Sequence, residues 1–183
     1  MLPKGPLMIE HRLIERMIAL LAGELEDINK NAMVDVLFID KVVDFFKVYA
    51  DHCHHGKEED ILFSSLFNKE LSREHKETVD SLIAGHVFGR ELIEELTRAK
   101  EAYAQGENSA LANIKNVIGE LASFYPARIE TEDKHFFLPV MEYFSDKEKD
   151  DMFAEFREFD RKLIHERYDK ILSGLEAQAL PKT

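Results

Sequence analysis

Histidines and carboxylates carry the potential chemistry of this 183-residue chain, which has 8 His and 36 Asp+Glu. Several stand where apolar side chains are expected. Taken in steps of three and four, Ile14, Ile18, Leu21 and Leu25 form one row, and Phe45, Val48, His52, His55, Glu59, Leu62 and Leu66 a second. A third row is Val79, Leu82, His86, Gly89, Ile93 and Leu96, and a fourth Ile118, Leu121, Tyr125, Arg128, Glu132 and His135. This spacing marks the buried face of a helix. A carboxylate or imidazole on such a face is costly unless it is hydrogen-bonded, paired or bound to a metal. Imidazole and carboxylate together suit iron, manganese or zinc. His55-x-x-x-Glu59 puts both side chains on one helical face, one turn apart. Metal binding is the expected chemistry.

The elements that must position these groups are helices. Of the 5 Pro, none falls between Leu7 and Tyr125, Gly is scarce, and no strand-like alternation is evident. The chain reads as all-α: an up-down four-helix bundle over about 7–144 with an additional C-terminal helix over about 145–175, in a single domain spanning 1–183. Helix 1 runs from near Leu7 to the polar Asn29–Asn31, and helix 2 from about Val34 to Asn68. Ser72 caps helix 3, which ends near Gly106, and Ser109 caps helix 4, bent at Pro126. Ser145 with Glu148 forms a capping box for helix 5.

Distance from a shared turn gives depth in such a bundle. At ~1.5 Å per residue, His11 lies ~19 residues before the first turn and His55 ~20 after it, and His86, Glu59 and Glu132 match across the later turns to within about one turn. Four helices thus bring His11, His55, Glu59, His86 and Glu132 to one interior layer. Two carboxylates able to bridge suit a pair of metals better than one. Glu59-Asp60 and Glu132-Asp133 each open a Glu-Asp-x-x-Phe stretch ending at Phe63 and Phe136, which suggests a pseudo-twofold layer.

The blocks Glu10-His11-Arg12, Cys53-His54-His55-Gly56-Lys57-Glu58-Glu59-Asp60, Gly85-His86 and Ile129-Glu130-Thr131-Glu132-Asp133 resemble the haemerythrin-like HHE cation-binding proteins, over roughly residues 8–144. The resemblance implies a non-haem diiron centre in a four-helix bundle, with two iron ions, or manganese or zinc. It implies ligands at His11, His55, Glu59, His86 and Glu132, with the two glutamates bridging. It also implies binding of a small diatomic, dioxygen or nitric oxide, in oxygen or NO response or in iron homeostasis. One position departs from the pattern: Arg128 stands four before Glu132, where His is expected, and a guanidinium cannot ligate a metal. Glu132-x-x-His135 has the spacing of dinuclear carboxylate sites, so His135 is a candidate substitute.

Other readings remain open. A diiron or dimanganese oxidase or peroxide-consuming enzyme is the alternative, as is a degenerate bundle with a partial metal site; a binder is favoured over an enzyme. His52 is expected just outside the metal ring. His54 and Glu58 are expected to point away from it, His75 to be solvated and His165 to be structural. Cys53 and Tyr125 read as packed side chains, and Gly85 and Gly89 as places of close approach or a ligand pocket. The net charge of −12 argues against nucleic acid or an anionic membrane surface as partner. A homodimer or another protein partner is left open. With one cysteine, no apolar leader in MLPKGPLMIEHRL and no membrane-length apolar run, a cytoplasmic location is expected.

Overall fold

The computed structural model describes the backbone of residues 3–107 and 109–179, and side chains as far as residue 163. Among these residues there is no strand, and five helices follow one another. Helix α1 is Lys4–Asn31. Helix α2 spans 36–67, built from Val36–Phe45, Phe46–His55, Glu58–Phe63 and Ser64–Phe67 with no break between them. Helix α3 is Arg73–Ala104. Helix α4 spans 110–143, from Ala110–Thr131 through Glu132–Phe136 and Phe137–Val140 to Met141–Tyr143. Helix α5 is Asp146–Ala179.

Local chemistry sets the ends. α1 begins three residues earlier than expected, because a proline in the first turn, Pro6, gives up an N–H that has no helical partner anyway. It ends at Ala32, whose left-handed φ of 53° lets its N–H close back on the Ile28 carbonyl. Asp35 caps α2 by accepting from Phe38 N, so that helix starts at Val36 and not Val34. Ser72 caps α3 by accepting from His75 N, as expected. Ser109 makes no side-chain cap. Ser145 N donates to Glu148 Oε2 at 2.8 Å, and Glu148 N to Ser145 Oγ at 3.3 Å, which is the anticipated capping box.

Helices α1 to α4 form a ring, α1 packing on α2 and α4, and α3 on α2 and α4. The interior has two apolar clusters. One holds Ile14, Leu21, Val42, Phe46, Leu96, Ile114 and Leu121. The other holds Leu7, Leu62, Phe63, Val79, Leu82, Phe136 and Phe137. Every helix of the ring contributes to both, entering them in alternating order along the chain, which makes the bundle up-down-up-down. Between the clusters lies the polar layer: His11, His54, His55, Glu58, His86, Arg128 and Glu132, all buried. α5 packs against the middle of α2.

Candidate metal centre

α2 and α4 carry the groups of this layer on wide turns. Gly56 N–H reaches back five residues to the Asp51 carbonyl, Ser64 N–H to Glu59, and Phe137 N–H to Glu132. These are π-helical turns, which are rare and concentrate at functional sites. A π turn holds more residues, so each residue advances less than the roughly 100° of an α-helix. Neighbours therefore point more nearly the same way.

The consequence reorders the sequence-based assignment. His54 and His55 both face the interior, at 1% and 4% exposure. Glu58, expected on the opposite face, is fully buried. Glu59, expected as a bridging residue, is partly exposed and stands one step out, 2.6 Å from His86 Nδ1. The wide turn at Glu132–Phe136 likewise carries His135 out to solvent, so it does not substitute for the missing histidine. His52 is exposed and not on the seam. His11, His55, His86 and Glu132 sit in the interior layer as expected.

The buried groups form two sides around two carboxylates. On one side, His11 Nε2 lies 3.0 Å from Glu132 Oε2, and His54 Nε2 3.7 Å from Glu58 Oε2. One ligating atom from each of His11, His54, Glu58 and Glu132 falls within 4.8 Å of all the others. On the other side, His86 Nε2 lies 3.0 Å from Glu58 Oε2, and Arg128 Nε 2.9 Å from Glu132 Oε1. The His55 ring stacks on His86 with centroids 3.8 Å apart.

A second ring of carboxylates holds the imidazoles from behind. His11 Nδ1 pairs with Asp133 Oδ1 at 2.7 Å, His54 Nδ1 with Glu10 Oε2 at 2.9 Å, and His55 Nδ1 with Asp51 Oδ1 at 3.4 Å. Glu59 does the same for His86. Each carboxylate is itself held by a cation. Arg12 binds Asp133, Lys57 binds Glu10, and Arg90 binds both Asp51 and Glu59 at 2.7 Å. An outer carboxylate fixes ring orientation and tautomer and makes the inner nitrogen a better ligand. Sequence reasoning missed Glu10, Asp133 and Lys57, because they act across helices, and Asp51, which stands one turn before His55 on the same helix but outside the apolar row.

The donor set fits a cation. His11 Nε2, Glu58 Oε1 and Glu132 Oε1 are buried without a hydrogen bond, although ion-pair neighbours lie close. Buried polar atoms in that state are costly. Burial holds His54, His55 and His86 below the usual imidazole value, His55 at about 3, so they stay neutral with a lone pair to donate. His11 is the exception: burial lowers it, but Asp133 and Glu132 outweigh burial and lift it to about 9. Burial raises Glu132, yet the close contact with His11 and the charge of Arg128 carry it below the carboxylate range. Glu58 is raised by burial and by the Glu132 charge.

The remaining residues have plainer roles. Glu10, Cys53 and Asp160 also cluster, but Lys57 fills that place, its Nζ bound to Glu10 and 2.7 Å from Asp160 Oδ1. Burial pushes the Cys53 thiol up to about 12, so it is not a reactive thiolate. Tyr125 packs on Phe46, as a core residue does. His75 is half-buried and bonded to the Tyr143 hydroxyl, not simply solvated. The side chain of His165 lies outside the described residues. A cleft of about 250 Å³, lined by Phe46, His52, His55, Gly89, Arg90 and Tyr125, opens beside the layer. No described helix is long and apolar enough to cross a membrane.

Comparison with curated proteins and with solved structures gave no match. Comparison with family models gave one, the Hemerythrin HHE cation binding domain, over residues 6–140. That span contains every member of the buried layer and of the carboxylate ring around it, so the match and the geometry concern the same residues. The chain belongs to the haemerythrin HHE cation-binding domain family.

Proposed function

We propose that the chain is a non-haem iron protein that binds a small diatomic, dioxygen or nitric oxide, at a cation held by His11, His54, Glu58 and Glu132. The observation that carries this reading is the double ring: inward donors on three helices, each imidazole fixed from behind by a carboxylate. Two imidazoles with two carboxylates form a donor set that iron accepts, with manganese and zinc as competitors. Iron would supply a redox-active centre with coordination positions left for a diatomic ligand. The protein residues do the rest. Asp133 and Glu10 orient His11 and His54. Phe63, Phe136 and Phe137, fully buried beside the layer, keep bulk water away. The cleft at His55 and Tyr125 offers a small molecule a way in.

The test is anaerobic loading of the metal-free protein with ferrous iron. Metal content after gel filtration and optical spectra before and after nitric oxide or air are then recorded. Retained iron with a spectrum that responds to either gas supports the reading. No retained iron overturns it, and retained iron indifferent to both gases overturns the gas-binding part.

A further inference from the structure

We infer that the Arg128 guanidinium is a built-in occupant of the second half of the layer, so that the chain takes up one metal ion and not two. This rests on the proposal that His11, His54, Glu58 and Glu132 hold a cation. Glu58 and Glu132 stand at the centre, and each serves both sides. Glu132 turns Oε2 to His11 Nε2 and Oε1 to Arg128 Nε. Glu58 Oε2 lies between His54 Nε2 and His86 Nε2. The far side therefore has the makings of a second site: the other oxygen of Glu132, the imidazole of His86, and His55 stacked against it. A guanidinium stands among them instead.

This placement is built into the fold and is not a surface side chain folded inward. The Arg128 side chain is 7% exposed. Its seat depends on Gly85 of α3: a Cβ there would overlap Arg128 Nη1 and lie 3.1 Å from Cζ. Any side chain at 85 would push the guanidinium off. Arg128 Nη2 is buried without a hydrogen bond, so the guanidinium is held by charge and shape more than by a full set of partners. A guanidinium has no lone pair to give and remains charged at every working pH. It supplies a positive charge to the central carboxylates, and it repels a second dication at close range. Arg128 lies one turn before Glu132 on the same helix, so it stays beside the pair when α4 is in place.

The experiment titrates metal-free protein with zinc alone and, anaerobically, with ferrous iron alone, and counts bound ions by elemental analysis and calorimetry. Three forms are compared: wild type, Arg128→His, and Arg128→Gln, which keeps a polar side chain of similar reach without the charge. Expected are one ion in wild type and two in Arg128→His. In Arg128→Gln, a second ion should bind at least tenfold more tightly than any second ion in wild type. The metal-free Arg128→Gln protein should also melt at a lower temperature than wild type, since Glu132 loses its internal cation, and added metal should restore it. Two tightly held ions in wild type would overturn the inference and leave the cation-binding proposal standing. One ion in all three forms would also overturn it, because something other than the guanidinium would then limit the count. No ion in any form would overturn the proposal itself and the inference with it.

Discussion

Exchanging the roles of two adjacent glutamates tests the wide-turn geometry most directly. In an ordinary α-helix the row Val48, His52, His55, Glu59, Leu62 would make Glu59 the inner residue. The structure buries Glu58 fully and leaves the Glu59 side chain 28% exposed. Consider Glu58→Gln and Glu59→Gln, each of which removes one negative charge and little volume. Two unit charges ~4 Å apart interact by about 4 kcal/mol at an effective dielectric of ~20, so a dication in the cluster would feel the loss of Glu58 strongly. Part of that is returned, because the wild-type carboxylate has to be desolvated and glutamine does not. A net loss of about 3 kcal/mol, or more than 100-fold in Kd, is the expected effect. Glu59 lies beyond the His86 ring and is already paired with Arg90 at 2.7 Å. Its loss should cost less than about tenfold, or ~1.4 kcal/mol. Competition of each protein against a chromophoric chelator for zinc measures both, with circular dichroism confirming equal helix content. An affinity loss larger for Glu59→Gln than for Glu58→Gln would refute the π-turn register. A loss of roughly 10–100-fold for Glu59→Gln, the usual cost of removing an outer partner of a ligating histidine, would place His86 on the metal and contradict the assignment of the ion to His11, His54, Glu58 and Glu132.

Two further outcomes follow from the same geometry. Gly56 lets α5 seat closely, since a Cβ there would lie 2.6 Å from Phe159 Cζ; Gly56→Ala should cost about 1–3 kcal/mol in urea unfolding, and an unchanged midpoint would show that this contact is not tight. Burial holds His55 at about 3, against 6.5 for its ordinary value, so below about 6.5 the unfolded chain takes up a proton that the folded one refuses. The metal-free protein should therefore lose stability as pH falls from 6.5 towards 3, and His55→Gln should flatten that limb of the melting curve; the same acid limb in both proteins would contradict the depressed value.

Much of the fold was legible in the chain because apolar periodicity and capping are local. The seam residues Leu21, Leu82 and Leu121 all became core, and Ser72, Ser145 and Glu148 mark helix starts where they were expected. The polar layer was legible too. His11 stands three residues before one apolar row, and His86 and Glu132 interrupt two others, all at depths that one rise per residue can compare, and the structure buries all three between the two apolar clusters.

What only the tertiary structure decided was which neighbours in the sequence turn inward. The choice of Glu58 over Glu59, the inclusion of His54 and the exclusion of His135 all depend on π turns at Phe46–His55, Glu58–Phe63 and Glu132–Phe136. Such turns give up regular i→i+4 bonding for the packing and pairing of buried charged groups, so no single-helix period announces them. The outer carboxylates share this property: Glu10 on α1 meets His54 on α2, and Asp133 on α4 meets His11 on α1. The identity of Arg128 was plain in the sequence, but its meaning was not. Whether a guanidinium faces solvent or fills a buried place depends on the room left by Gly85 on the neighbouring helix, and that room exists only once α3 and α4 have packed.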